Sequence, residues 1–162
     1  MKKIMVAIIV LMLLGCQSLK PDQSMASSTG GALSTMTSIE KGLFSVQISL
    51  PKKVGINEEF TVKADFKKET EQKFSITSRN QLFVYLIKDS SGKQINSYAV
   101  TDGGVIRDLS GETVISENYK YRIKKPGIYE ISAVAEFTVN KDGSSKSYTI
   151  ETDHKKIEVT EE

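Results

Sequence analysis

The feature that most constrains the fold is an alternation of apolar and polar residues that recurs several times after residue 43. In its first occurrence, the apolar positions are Phe44, Val46, Ile48 and Leu50. Successive side chains of a β-strand point to opposite faces, so this period of two is typical of a half-buried strand. No window after residue 43 has the i, i+3, i+4 apolar spacing of an amphipathic helix. The sequence therefore predicts an all-β domain.

Further strands are predicted by the same alternation, and segments of turn composition separate them. The predicted strands include Phe60–Phe66, Phe74–Ile76, Gln94–Val100, Tyr119–Ile123, Tyr129–Val139 and a last strand that carries Tyr148, Ile150, Ile157 and Val159. The segment Leu82–Ile87 is apolar on both faces, which predicts a central strand. Seven to nine short antiparallel strands predict an immunoglobulin-like β-sandwich over residues 42–162. A single sheet closed on itself is the alternative.

The best structural motif is Pro126-Gly127-Ile128-Tyr129, at the start of the clearest predicted strand. In immunoglobulin-like sandwiches, a Tyr near the start of a late strand donates a hydrogen bond back to the backbone, which is called the tyrosine corner. We expect Tyr129 to be a core residue of this kind.

The first sixteen residues have the order of an export signal. Lys2 and Lys3 form a cationic head, Ile4–Leu14 is an unbroken apolar run, and the small residue Gly15 precedes Cys16. A transmembrane helix needs about 20 apolar residues, so the run is too short for an uncleaved anchor. Cys16 is the only Cys in the chain.

The segment Leu13-Leu14-Gly15-Cys16 resembles the lipobox of bacterial lipoprotein precursors. The resemblance implies that residues 1–15 are removed as a signal peptide and that Cys16 carries a diacylglyceryl thioether. Residues 16–41 are rich in Ser, Thr and Gly, which is typical of a flexible tether. The expected location is the cell membrane, on its extracytoplasmic face, with the lipid on Cys16 as the anchor.

The charge balance argues against a nucleic-acid partner. The chain has 22 basic and 20 acidic residues, and Lys2 and Lys3 would leave with the signal peptide, so the mature protein has no formal net charge. A neutral balance gives no general electrostatic attraction to nucleic acid.

Residues suited to catalysis or metal binding are few, so we expect neither an enzyme, nor a cofactor, nor a metal site. His154 is the only His and lies among charged residues, which favours a solvated edge position or a bulge in the last strand. Asp102-Gly103-Gly104 and Asp142-Gly143 lack the dense carboxylate spacing of a calcium loop, and Asp-Gly pairs are common in turns.

A candidate binding loop lies between Thr101 and Gly111, the longest stretch without a clear pattern. Its candidate binding residues for an unknown extracytoplasmic protein partner are Val105, Ile106, Arg107 and Leu109. The alternative is a connection between the sheets whose apolar residues pack into the end of the sandwich.

Two segments, Phe60–Lys68 and Lys73–Gly92, resemble bacterial BsuPI-type proteinase inhibitor domains, which have their own P-G-x-Y motif where Pro126–Tyr129 lies here. That family has a Trp-containing segment, and this chain contains no Trp. The resemblance therefore implies only the fold for this chain. The expected function is that of a binding or structural module, and proteinase inhibition is the alternative.

Overall fold

The computed structural model describes residues 42–98, 103–111 and 113–161, and nearly all of the regular structure in these ranges is β-strand. Nine strands follow one another: β1 (Phe44–Ser49), β2 (Lys53–Gly55), β3 (Glu59–Lys68), β4 (Phe74–Lys88), β5 (Val105–Leu109), β6 (Val114–Arg122), β7 (Gly127–Lys141), β8 (Ser144–Glu151) and β9 (Lys155–Thr160). In these ranges, no helix is long and apolar enough to cross a membrane. The predicted signal peptide, Cys16 and the tether lie outside the described residues.

The strands form two sheets, which confirms the predicted sandwich. The first sheet has the order β1-β3-β6, and the second has the order β2-β9-β7-β4-β5, with β8 paired to the far half of β7. All pairings are antiparallel except the short parallel pairing of β2 with β9. The chain crosses from the first sheet to the second at Pro51, which cannot donate to a ladder. This strand order is that of an immunoglobulin-like β-sandwich.

The core lies between the sheets and is built from the apolar positions of the alternating pattern. Phe44 is packed against Phe66 and Phe137 with ring centroids 5.2 and 5.1 Å apart, and Phe137 stacks on Tyr148 at 5.4 Å. Pairs of this geometry contribute about 0.5–1.5 kcal/mol beyond the area that they bury. The aromatic cluster therefore joins the first strand of one sheet to the centre of the other.

The tyrosine corner is confirmed. Tyr129 lies near the start of β7 and is buried, and its hydroxyl donates a hydrogen bond to the backbone oxygen of Lys125 at 3.0 Å. The bond spans the connection that carries the chain from β6 in the first sheet to β7 in the second. The bond fixes the backbone of that connection at Lys125.

Several strand predictions differ from the structure. Phe74–Ile76 and Leu82–Ile87 belong to the same strand, β4, whose pairing with β7 shifts register between Ser78 and Phe83. The predicted last strand is divided into β8 and β9, which pair with the same edge of β7. A bulge separates them, because residues 152–154 lie opposite only residues 132 and 133 of β7, and the Thr152 hydroxyl accepts the Ala133 N–H at 3.0 Å.

The predicted strand at Gln94–Val100 is also wrong over residues 94–98, the part of it that the structure describes. Only Gln94 makes a β-bridge, to Lys88. Beyond it, the side chain of Asn96 takes the place of a strand backbone: it accepts from the Ile87 N–H at 2.9 Å and donates to the Tyr85 carbonyl at 2.8 Å. The amide side chain of Asn96 thus forms the hydrogen bonds to the backbone of β4 that a neighbouring strand was predicted to form.

Candidate functional site

The predicted binding residues lie on an edge strand, so the prediction of a loop was wrong. Residues 105–109 form β5, which pairs with the first part of β4 and ends the second sheet. Ile106 is 69% exposed, and Val105 is also exposed. Leu109 is buried in the core, as the alternative of a packed connection predicts for its apolar residues.

Arg107 is held by the neighbouring strand. Its guanidinium donates to the hydroxyl of Ser78, to the carbonyl of Arg79 at 3.2 Å and to the carbonyl of Asn80 at 2.6 Å. These acceptors begin a large bulge of β4, in which residues 79–82 lie opposite the single residue Glu136 of β7. Of the four predicted binding residues, Arg107 and Leu109 therefore maintain the fold, while Val105 and Ile106 remain exposed.

The other end of the same bulge is held by Glu117 of β6, across the sandwich. Its carboxylate accepts the N–H groups of Leu82 at 2.7 Å and of Phe83 at 3.1 Å. The Tyr85 hydroxyl donates in return to the Glu117 carbonyl at 3.0 Å. Burial, followed by the nearby Glu117 charge, raises the pKa of Tyr85 well above its usual range, so its hydroxyl stays protonated.

A basic groove, defined here by the side chains of Lys93, Tyr121, Arg122, Lys124, Lys125 and Tyr129, opens at the end of the sandwich where β4 and β6 finish. The groove is open to solvent and has a volume of about 460 Å³. One wall is the segment 89–95 that follows β4, and the other is the end of β6 with its connection to β7. Asp89 is the one acidic residue that lines the described groove.

The walls of the basic groove are fixed by hydrogen bonds. Tyr121 joins them, since its hydroxyl donates to the Ile95 carbonyl at 3.2 Å, and burial raises the pKa of this hydroxyl. On the β6 side, the Ile123 carbonyl accepts from the Asn57 N–H at 2.9 Å, and the Tyr129 hydroxyl donates to the Lys125 carbonyl in the connection that follows β6. The backbone that carries the lysines is thus set before any ligand arrives.

His154 lies in the connection from β8 to β9, at a half-exposed position between two carboxylates. Its Nδ1 is 2.8 Å from Glu130 and its Nε2 is 3.0 Å from Glu151. The hydrogen bond to Glu130 and the two negative charges raise the pKa of the imidazole, although partial burial opposes them. Ser132 is close by, but its hydroxyl donates to Glu151 at 2.8 Å.

The predicted turn at Asp142-Gly143 has the geometry that Asp-Gly pairs favour. Asp142 and Gly143 make the tight turn from β7 to β8 with φ values of 49° and 77°. Asp102 lies outside the described residues, and in the described ranges no cluster of three or more His, Cys, Asp or Glu side chains is arranged to hold a metal ion.

Sequence reasoning missed the basic groove because the overall charge balance is neutral. The one local signal was the pair Lys124-Lys125 directly before Pro126-Gly127, two cations in a connection that the tyrosine corner makes rigid. Lys93 comes from a turn 31 positions earlier, and only the fold brings it to the same groove.

The strand order and the tyrosine corner define the chain as an immunoglobulin-like β-sandwich protein. It is similar to a CARDB domain from Pyrococcus furiosus, solved in complex with di-metal ions, with a TM-score of 0.45 and 15% identity over 72% of this chain and 87% of that chain. It is also similar to part of a β-glucosidase from Listeria innocua, with a TM-score of 0.35 and 14% identity over 72% of this chain and 16% of that chain.

A third similar structure is an alkylpurine DNA glycosylase from Pseudomonas fluorescens bound to DNA, with a TM-score of 0.33 and 14% identity over 68% of this chain and 30% of that chain. No family model and no curated protein matches the chain.

Proposed function

We propose that this protein is a bacterial lipoprotein whose β-sandwich is displayed on the extracytoplasmic face of the cell membrane. There it binds a protein partner and catalyses no reaction. The lipid on Cys16 is its link to the membrane.

The observation that carries this proposal is the position of the single Cys. Cys16 follows a cationic head, an apolar run and a small residue, which is the order found in lipoprotein precursors. A diacylglyceryl group places two acyl chains in the bilayer, and two chains are enough for stable attachment, whereas one is marginal.

A binding role is favoured over catalysis because the polar groups near the core already stabilise the fold. In the described ranges, every buried side-chain nitrogen or oxygen has a hydrogen-bond partner. Both ring nitrogens of His154 contact carboxylates, and the Ser132 hydroxyl donates to one of them, which weighs against a role of this His in activating a nucleophile.

Proteinase inhibition remains the alternative, with the segment Gly103–Gly111 presented to a protease. The pairing of β5 with β4 weighs against it, because an inhibitory segment must enter the cleft of the protease, and a strand held in a ladder is less free to do so. Incubating the purified protein with a panel of extracellular proteases tests this alternative, and full activity of every protease would exclude it.

Labelling cells with a clickable fatty acid tests the lipid anchor. We expect wild-type protein and a Gln17→Ala control to be labelled and to sediment with membranes, and Cys16→Ala to be unlabelled. Label that persists in Cys16→Ala would contradict the anchor. Crosslinking in intact membranes followed by pull-down tests the binding role, for which we expect one partner protein to be recovered in stoichiometric amounts.

A further inference from the structure

We propose that the basic groove binds an acidic peptide segment of the partner protein, an inference that rests on the binding role proposed above. The groove brings cations from distant parts of the chain together at one end of the sandwich. Its ligand would carry two or more carboxylates spaced along an extended backbone.

The charge of the groove supports an anionic ligand. The ammonium groups of Lys124 and Lys125 form no ion pair with any residue of the described chain, and both residues are exposed. Arg122 is partly neutralised, because its guanidinium lies 3.2 Å from Glu59 and donates to the Asn57 carbonyl at 3.0 Å. The lysines are therefore the groups available to a ligand.

The one carboxylate in the groove is already engaged. Asp89 accepts from the Ser91 N–H at 2.9 Å, from the Ser91 hydroxyl at 2.5 Å and from the Lys93 N–H at 3.1 Å. These bonds hold the pKa of Asp89 below its usual value and form the turn that positions Lys93. Asp89 therefore fixes the wall from which Lys93 extends. It stays ionised, so the groove carries this one negative charge against the positive charges of Lys93, Arg122, Lys124 and Lys125.

The dimensions and chemistry of the groove favour a peptide over a single small anion. The groove is open to solvent and lies between two walls, and its volume of about 460 Å³ is larger than a single small anion needs. Ile95 contributes exposed apolar surface to the same wall as Lys93, so apolar side chains between the acidic ones also find a contact. An extended acidic segment matches both features.

Binding of a fluorescein-labelled hexaglutamate peptide to the full-length protein, purified in mild detergent, tests the proposal. We expect saturable binding that weakens as salt rises, because exposed charges are screened within about 10 Å at 0.1 M salt. A hexaglutamine peptide, inorganic phosphate and vesicles with anionic lipid are compared in the same assay. Equal binding of hexaglutamine, or binding of phosphate or vesicles without hexaglutamate, would overturn the proposal.

The variant Lys124→Gln/Lys125→Gln identifies the site, and Lys52→Gln/Lys53→Gln is its matched control. The control removes the same charge from an adjacent pair of exposed lysines at β2, the opposite edge of the second sheet from β5. We expect the first variant to bind hexaglutamate about fivefold more weakly and the control to bind as wild type does. Equal affinities for the two variants, with unchanged thermal unfolding, would overturn the assignment to the basic groove.

Crosslinked pull-down with the same variants separates failure of this inference from failure of the proposed function. Recovery of the partner by wild type and by Lys124→Gln/Lys125→Gln to equal extents would overturn the groove and leave the binding role intact. Recovery of no protein by any variant would contradict the binding role itself.

Discussion

Replacing Glu117 by Gln tests whether a carboxylate from one sheet holds the bulge of the other. The side chain accepts two backbone N–H groups of β4, from Leu82 at 2.7 Å and Phe83 at 3.1 Å, and both of these residues are almost fully buried. Without this carboxylate, the two donors have no other acceptor that the structure shows. Gln preserves the size of the side chain and removes its charge.

The magnitude follows from the two hydrogen bonds. A hydrogen bond to a charged group contributes about 1.5–3 kcal/mol, and leaving a buried donor unpaired costs about 1–3 kcal/mol. The Gln oxygen can accept one N–H, but its NH₂ group faces the other, so we expect Glu117→Gln to lower the free energy of unfolding by about 2 kcal/mol. Glu117→Ala removes both acceptors, and we expect a loss of about 4 kcal/mol.

Equilibrium unfolding in urea, followed by tyrosine fluorescence, measures both effects. Glu59→Gln is the matched control, because it makes the same chemical change at an exposed carboxylate that pairs with Lys120 and Arg122 on the surface. We expect this control to unfold as wild type does. The reasoning is refuted if Glu117→Gln and Glu59→Gln have the same stability, since the carboxylate would then contribute nothing particular at the bulge.

Three further changes test other parts of the fold. Tyr129→Phe removes the bond of the tyrosine corner, and we expect thermal unfolding to show a loss of about 1 kcal/mol; no loss would contradict its role. Lys68 is fully buried, and its ammonium donates to the Leu109 carbonyl at 3.2 Å. We expect Lys68→Met to lower the free energy of unfolding in urea by about 2 kcal/mol and to accelerate hydrogen exchange in β5. Unchanged exchange would count against this contact. His154 has a raised pKa, so its pairing with Glu130 stabilises the fold below the ordinary His pKa of 6.5, and this contribution is lost as pH rises through the higher folded pKa. We expect the stability difference between pH 5.5 and 8.5 to be smaller in His154→Gln, and an identical difference would refute the assignment.

The alternating pattern predicted the class of fold because it reports directly which face of a strand is buried. It also contained information on Lys68, whose position continues the inward series of Phe60, Val62, Ala64 and Phe66. A buried Lys is rare unless it has partners, and these come from Gln72 and Leu109. The sequence could place Lys68 on the inner face, but it could not supply the acceptors.

The wrong predictions arose where side chains replace backbone pairing. Asn96 satisfies the edge of β4 in place of a ladder, and Arg107 and Glu117 hold its bulge from other strands. These bonds join residues that are 9 to 35 positions apart in the sequence, so the local alternation of apolar and polar residues cannot predict them. The basic groove has the same origin, because Lys93 and Lys124 line one groove only when both sheets have formed.

The intact mass of the mature protein isolated from its native membrane tests directly whether Cys16 is the lipid-carrying N-terminus. We expect a chain that begins at Cys16, lacks residues 1–15 and carries a diacylglyceryl group on the sulfur. A chain that retains Met1, or one that begins elsewhere and carries a free thiol at Cys16, would contradict it.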